Sequence, residues 1–307
     1  MGSDYCGDDP VRLDSVRLTG CCGLTIALSA LLGCSQPPEP ATTLSTYSRV
    51  VTLAPNLTEL MFAAGAGDAL VGVSAYSDFP LAVRELPIIG DAFSVDQEQL
   101  ALLDPDALFA WQSGTPARVV DELRRIGYHV EVLRTRSLDD VAAALIRIGE
   151  LTGHEQEAGR AAADYVDGLK ALELRFAGEP LLRVFYQVSQ RPLYTINGSH
   201  FVSELIELCG GRNIFDDLNE LAPAIAVEAV IERDPEVMLA SDEAGNEAFS
   251  EWDRWPNIAA NRMRNRFLMP ADEIGRATPR LLIAGESVCR ALQQARVSRK
   301  SAIDTAR

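Results

Sequence analysis

One pattern occurs twice in this chain. EQLALLDPDALFA (residues 98–110) and EAVIERDPEVMLA (residues 228–240) each open on a glutamate, Glu98 or Glu228, seven residues before a proline, Pro105 or Pro235. Each predicts a short amphipathic helix, an Asp-Pro stop and then a buried strand, because proline bars the residue before it from continuing a helix. A repeat of that kind predicts two lobes of similar build, each carrying one glutamate on the first turn of its short helix.

The flanking sequence fits that division. RVVTLA, from Arg49, is a β-branched strand run followed by the helical pattern LTELMFAAG. LVGVS (70–74), ALFAW (107–111) and HVEVL (129–133) alternate with helical segments near 96–103, 116–126 and 138–151. RVFYQV (183–188), SHFVSELIELCGG (199–211), VMLA (237–240) and FLMP (267–270) continue the same order of strands and helices. Strand and helix in alternation predict α/β lobes with largely parallel sheets. Between the halves, Ala158, Ala162, Tyr165, Leu169, Leu172 and Phe176 recur at spacings of four and three, forming one apolar stripe on a long helix. The predicted domains are 48–152, a linking helix over 153–180, 181–296 and a tail over 297–307.

The first residues read as an export leader. Arg12 and Arg17 precede LTGCCGLTIALSALLG (18–33), an apolar run too short for a spanning helix. Its Leu-Leu-Gly-Cys ending resembles the lipobox of bacterial lipoproteins, which implies cleavage after residue 33 and lipidation of Cys34; a plain signal peptide or a short membrane anchor is the alternative. Residues 34–47, rich in Pro, Ser and Thr, read as a flexible tether. With the leader removed and Cys34 lipidated, Cys209 and Cys289 remain in an oxidising compartment, where a disulfide is expected.

Charge and motifs narrow the function. Lys and Arg number 28 against 44 Asp and Glu, a net charge of −16, so the chain repels phosphate backbones and nucleic acid is not an expected partner. The sequence holds no Gly-x-Ser-x-Gly elbow, no phosphate loop and no His-Glu-x-x-His, so no catalytic residue is assigned. Its three histidines, His129, His154 and His200, make a multi-histidine metal site improbable. His129 and His154 read as structural; His200, in the NGSH loop, reads either as a solvated residue at a helix start or as an axial ligand to a bound tetrapyrrole's metal.

RVVTLAPNLTELMFAAGAGDALVGVSAYSDFP, LDPDALFAW, the long central helix, ELIELCGGRNIF and GRATPRLLIAGESVCRAL together resemble the periplasmic cobalamin-binding proteins, helical-backbone substrate receptors of ABC importers. The resemblance covers residues 48–295 and implies two Rossmann-like α/β lobes joined by one long rigid helix, with the ligand held between them. It implies that Tyr76, Trp111 and Tyr194 wall the corrin, that Asp272 and Arg276 hydrogen-bond its amide arms, and that Glu98 and Glu228 dock on the two-fold permease dimer. Where those receptors carry tryptophans, this chain has Ala92 and Ala222; Phe93 is the candidate substitute for the first. The expected protein is a monomeric, lipid-anchored receptor on the periplasmic side of the membrane. It carries cobalamin or a related corrinoid as transported ligand and holds no cofactor. A receptor for a ferric siderophore or haem, or a surface lipoprotein without a transport role, is the alternative.

Overall fold

The computed structural model describes residues 46–305. The leader, Cys34 and the tether through residue 45 lie outside the described residues. Tyr47, at the end of the predicted tether, is part of the fold: its amide donates to Leu151 O at 2.8 Å.

The first lobe runs β1 (Val50–Thr52), α1 (Pro55–Ala63), β2 (Leu70–Val73), α2 (Gln97–Leu103), β3 (Ala107–Trp111), α3 (Ala117–Arg125), β4 (Val130–Leu133) and α4 (Leu138–Thr152). The helix α5 (Glu155–Phe176) follows. The second lobe comprises β5 (Leu182–Gln187), the hairpin β6 (Ser189–Gln190) and β7 (Leu193–Tyr194), α6 (Phe201–Leu208), β8 (Gly211–Asn213), α7 (Val227–Arg233), β9 (Val237–Ser241), α8 (Ala259–Arg262), β10 (Arg266–Met269), α9 (Ala271–Gly275) and α10 (Leu281–Thr305). Each lobe holds a wholly parallel sheet, ordered β2-β1-β3-β4 and β8-β5-β9-β10. Counted among its own strands in chain order, each four-stranded sheet has the same order: second, first, third, fourth.

The repeat predicted from the two Asp-Pro segments is present in both lobes. The helices α2 and α7 both span seven residues and end on an aspartate in the left-handed region, Asp104 (φ 43°) and Asp234 (φ 40°). An arginine at the start of each lobe reads that turn: Arg49 Nε donates to Asp104 O and Arg183 Nε to Asp234 O, both at 3.0 Å. The next acidic residue closes the loop in both lobes, Asp106 Oδ2 accepting from Arg49 N at 2.9 Å and Glu236 Oε2 from Arg183 N at 3.1 Å.

Side chains alternate across each strand, so one face of each sheet joins a common core and the other a private one. In β3, Ala107 and Phe109 belong to the large core, while Leu108 and Ala110 belong to a separate first-lobe cluster. In β9, Val237 and Leu239 join the large core, and Met238 and Ala240 a second-lobe cluster around Trp252. The large core therefore runs unbroken through both lobes, with α5 along it. Ala158, Ala162, Tyr165, Leu172 and Phe176 of the predicted stripe are buried there, and Leu169 is partly buried against the same core.

Two close approaches fix α5. Serine 137 and Asp140 form a capping box at the start of α4, and Gly153 (φ 78°) ends it, reversing the chain into α5. A Cβ on Gly149 would come within 2.5 Å of Ala158 Cβ, so only glycine permits the α4–α5 contact. On its other side, α5 meets α10, where a Cβ on Gly168 would lie 2.6 Å from Leu282 Cδ1. Cys209 and Cys289 are bridged, tying the end of α6 to α10. Helix α10 continues through Thr305, extending into the segment read from sequence as a tail.

Candidate functional site: the seam between the lobes

In parallel α/β sheets, ligands bind beyond the carboxyl ends of the strands. Here the segment after β4 meets the start of α6, and α1, which follows β1, meets the segment after β10. After β4, Arg136 O accepts from Phe201 N at 3.0 Å and Arg136 Nη2 donates to Ser199 Oγ at 2.9 Å. Glu204 of α6 accepts from Leu138 N at 2.7 Å, placing a second-lobe carboxylate on the first turn of α4. Burial, together with Asp139, Asp140 and Glu207, raises the Glu204 pKa despite that hydrogen bond.

The other set of contacts is ionic. Glu59 of α1, 4% exposed, accepts from three second-lobe groups: Thr278 Oγ1 at 3.0 Å, Arg276 Nη1 at 2.8 Å and Arg280 Nη1 at 3.2 Å. Arg276 also meets Asp78 at 2.6 Å and Asp272 at 3.0 Å, and donates to Tyr76 O at 3.2 Å. Arg280 pairs with Glu273 and lies over the Phe79 ring, 4.3 Å from its centroid. Burial acts against the charge on Arg276, but the hydrogen bonds to Asp78 and Glu59 outweigh it and its pKa rises. Buried charges persist only when paired in this way.

The predicted site residues divide accordingly. Tyr76, Asp272 and Arg276 are brought together: Tyr76 is 80% exposed and held at φ 66°, in the left-handed region uncommon for a side-chain-bearing residue, with its carbonyl turned to Arg276. Phe93, Trp111 and Tyr194 stand on three other elements. Phe93, 65% exposed, tips a turn closed by Asp91, whose Oδ1 accepts from the Phe93 and Ser94 amides at 2.8 and 2.9 Å. Trp111 ends β3 partly buried against the large core, with Gly114 beneath its ring and its buried Nε1 without a hydrogen-bond partner. Tyr194, half-buried in β7, bridges to Ala224 and so lies next to the Ala222 segment. Glu98 and Glu228 are both exposed on the first turns of α2 and α7. A cavity of about 390 Å³ adjoins Glu228, lined by Gln187, Arg191, Glu251, Trp252 and Trp255 among others. A larger groove, about 690 Å³, lies beside α5 and is lined by none of the predicted ligand-binding residues.

His200 caps α6: its Nδ1 accepts from Val202 N at 3.2 Å. Burial first, and then Arg136, push its pKa down to about 4. A neutral imidazole accepting at Nδ1 carries its proton on Nε2, so neither nitrogen offers a free lone pair. The histidine is therefore a helix cap in this structure and not a ready metal ligand. His154 and His129 hold structural positions: His154 Nδ1 meets Thr152 Oγ1 and His129 Nε2 meets Glu131 Oε1, both at 3.1 Å.

Sequence reasoning missed Glu59, Asp78, Thr278 and Arg280. A signal for Glu59 was present: it is a lone carboxylate in NLTELM, whose six residues are all buried in α1, and a charge buried in such a helix demands a partner.

Comparison with known proteins agrees with this architecture. The family profile of the periplasmic binding proteins matches residues 50–273. The vitamin B12-binding protein of Vibrio cholerae serotype O1 is 34% identical over 275 residues, which cover 89% of this chain and 96% of that protein. Its counterpart in Yersinia pestis is 33% identical over 251 residues, covering 78% of this chain and 85% of that one. The crystal structure of the periplasmic vitamin B12 binding protein of Vibrio cholerae superposes with a TM-score of 0.74 at 33% identity, covering 81% of this chain and 98% of that one. A periplasmic heme binding protein from Pseudomonas aeruginosa shares the fold, with a TM-score of 0.69 at 24% identity and coverage of 80% and 92%. On the profile match and on identity along nearly the whole length of its relatives, this chain belongs to the periplasmic binding protein family.

Proposed function

We propose that this protein captures cobalamin or a related corrinoid between its lobes and delivers it to an ABC importer. The observation that carries the reading is the 34% identity spanning 96% of a vitamin B12-binding protein, against 24% for a heme-binding protein of the same fold. Tyr76, Asp272 and Arg276, brought together at the seam, support it. A corrin is a broad disc with amide arms and takes aromatic walls with a few orienting polar groups; Tyr76, Trp111, Tyr194 and Phe93 serve as the walls, and Asp272 and Arg276 as the polar groups. The exposed glutamates Glu98 and Glu228, one per lobe on equivalent helices, serve as the two docking charges on the permease dimer, where such pairs orient an encounter more than they tighten it. On this reading the protein is an exported, monomeric receptor tethered through a lipid on Cys34, with no catalytic role and no cofactor of its own. A haem or ferric-siderophore ligand is the competing reading.

Calorimetric titration of the purified protein with cyanocobalamin, with haem and a ferric hydroxamate as controls, tests the proposal. Sub-micromolar binding of cyanocobalamin alone is expected, weakened about tenfold to a hundredfold by Trp111→Ala. Binding of a control without cyanocobalamin would refute the corrinoid reading.

A further inference from the structure

Arg276 is a cation of the seam that an anionic ligand would seek, yet its charge is already engaged. Three carboxylates surround it: Glu59 at 2.8 Å, Asp78 at 2.6 Å and Asp272 at 3.0 Å. Its neighbour Arg280 is likewise held, by Glu59 and Glu273. Four carboxylates therefore face two guanidinium groups, leaving an excess of negative charge. Asp78 and Asp272 are about half exposed, with side-chain exposures of 49% and 52%, so that charge reaches the solvent of the seam, whereas Arg276 shows only 15%. Asp242 extends the acidic edge, its Oδ1 accepting from Ala271 N at 2.9 Å.

We propose that Glu59 and Asp78 are specificity-determining residues: by cancelling the charge of Arg276 they keep the seam receptive to a neutral, amide-bearing ligand and closed to polyanionic iron chelates and to the propionates of haem. Specificity of this kind comes from an unfavourable interaction built against the wrong ligand. Arg276 stays a hydrogen-bond donor held in place, but it no longer attracts as a free cation. The inference rests on the corrinoid reading for the ligand that is admitted, and on the charge arrangement alone for those excluded.

The test titrates the full chain with a triply anionic ferric tris-catecholate, at low salt and again at about 0.5 M salt, where surface charges are screened. Asp78→Asn, on a half-exposed side chain, and Glu59→Gln, whose amide oxygen can still accept from Arg276 and Arg280 while its NH2 donates to the Thr278 hydroxyl, each remove one negative charge. The wild-type protein is expected to bind the trianion weakly. Each variant should bind it about tenfold more tightly at low salt, with most of the gain lost at high salt. No gain in Asp78→Asn, or wild-type binding as tight as that of the variant, overturns the inference. A parallel titration of wild-type protein with cyanocobalamin separates the two readings: its failure would sink the corrinoid function while the tris-catecholate comparison still decides the charge argument.

Discussion

The Cys209–Cys289 bridge closes a loop of 80 residues that contains most of the second lobe, from β8 to the first half of α10. Replacing both cysteines with alanine frees the unfolded chain from that closure. On the loop-entropy relation, a loop of this length is worth about 4.5 kcal/mol at 25 °C. Both side chains are 0% exposed, so removing their sulfur atoms leaves a small void and adds about 1 kcal/mol. The double variant should therefore lose about 4–6 kcal/mol. Serine is the wrong replacement, because each hydroxyl would need a partner in an apolar core. Urea unfolding followed by tryptophan fluorescence reads the loss directly: Trp252 is 2% exposed and donates from Nε1 to Gln187 Oε1 at 2.6 Å, so it reports second-lobe packing. With a slope of about 3 kcal/mol per molar urea, the midpoint should fall by about 1.5–2 M. A loss below about 1 kcal/mol would refute the reasoning, since it would mean that closing this loop costs the unfolded chain almost nothing.

Two further perturbations probe the loops at the carboxyl edges of the sheets. His200 stays neutral in the fold, with its pKa near 4 against 6.5 when solvated, so the unfolded chain takes up the proton first; stability should be complete above pH 6.5 and fall by about 3 kcal/mol as pH drops to 4. His200→Asn keeps a good N-cap and should abolish that part of the pH dependence in urea midpoints measured across the window, and an unchanged profile would contradict the assignment. Gly90 holds φ 113°, and a Cβ there would lie 2.1 Å from Ser94 O, so Gly90→Ala should cost about 2 kcal/mol or more and disturb the turn that presents Phe93. Thermal melting reads the first effect and cyanocobalamin titration the second.

Much of the fold was legible because its signals are local. The helices predicted near 96–103, 116–126 and 138–151 appear at Gln97–Leu103, Ala117–Arg125 and Leu138–Thr152, each set by apolar periodicity and bounded by Pro, Gly or a capping residue. The Asp-Pro repeat was legible for the same reason. The strand β8, Gly211–Asn213, was not: a three-residue GRN segment has no apolar alternation and is a strand only because β5 offers it a partner. Helix α10 was read short, since beyond residue 296 its sequence is polar and the apolar stripe that marks a packed helix has faded.

The candidate site divides along the same line. Alternation of strands and helices, the stripe on α5, the paired glutamates and the cysteine count were determined by the sequence, because each depends on residues within a few turns of one another or on simple number. Only the tertiary structure decided that Glu59 meets Arg276 across 217 residues, that Asp78 completes the pair, and that the arginine is thereby held rather than free. The charge of a side chain is written in the chain, but whether that charge is available to a ligand depends on what folding places within 3 Å of it, and no local pattern encodes that distance.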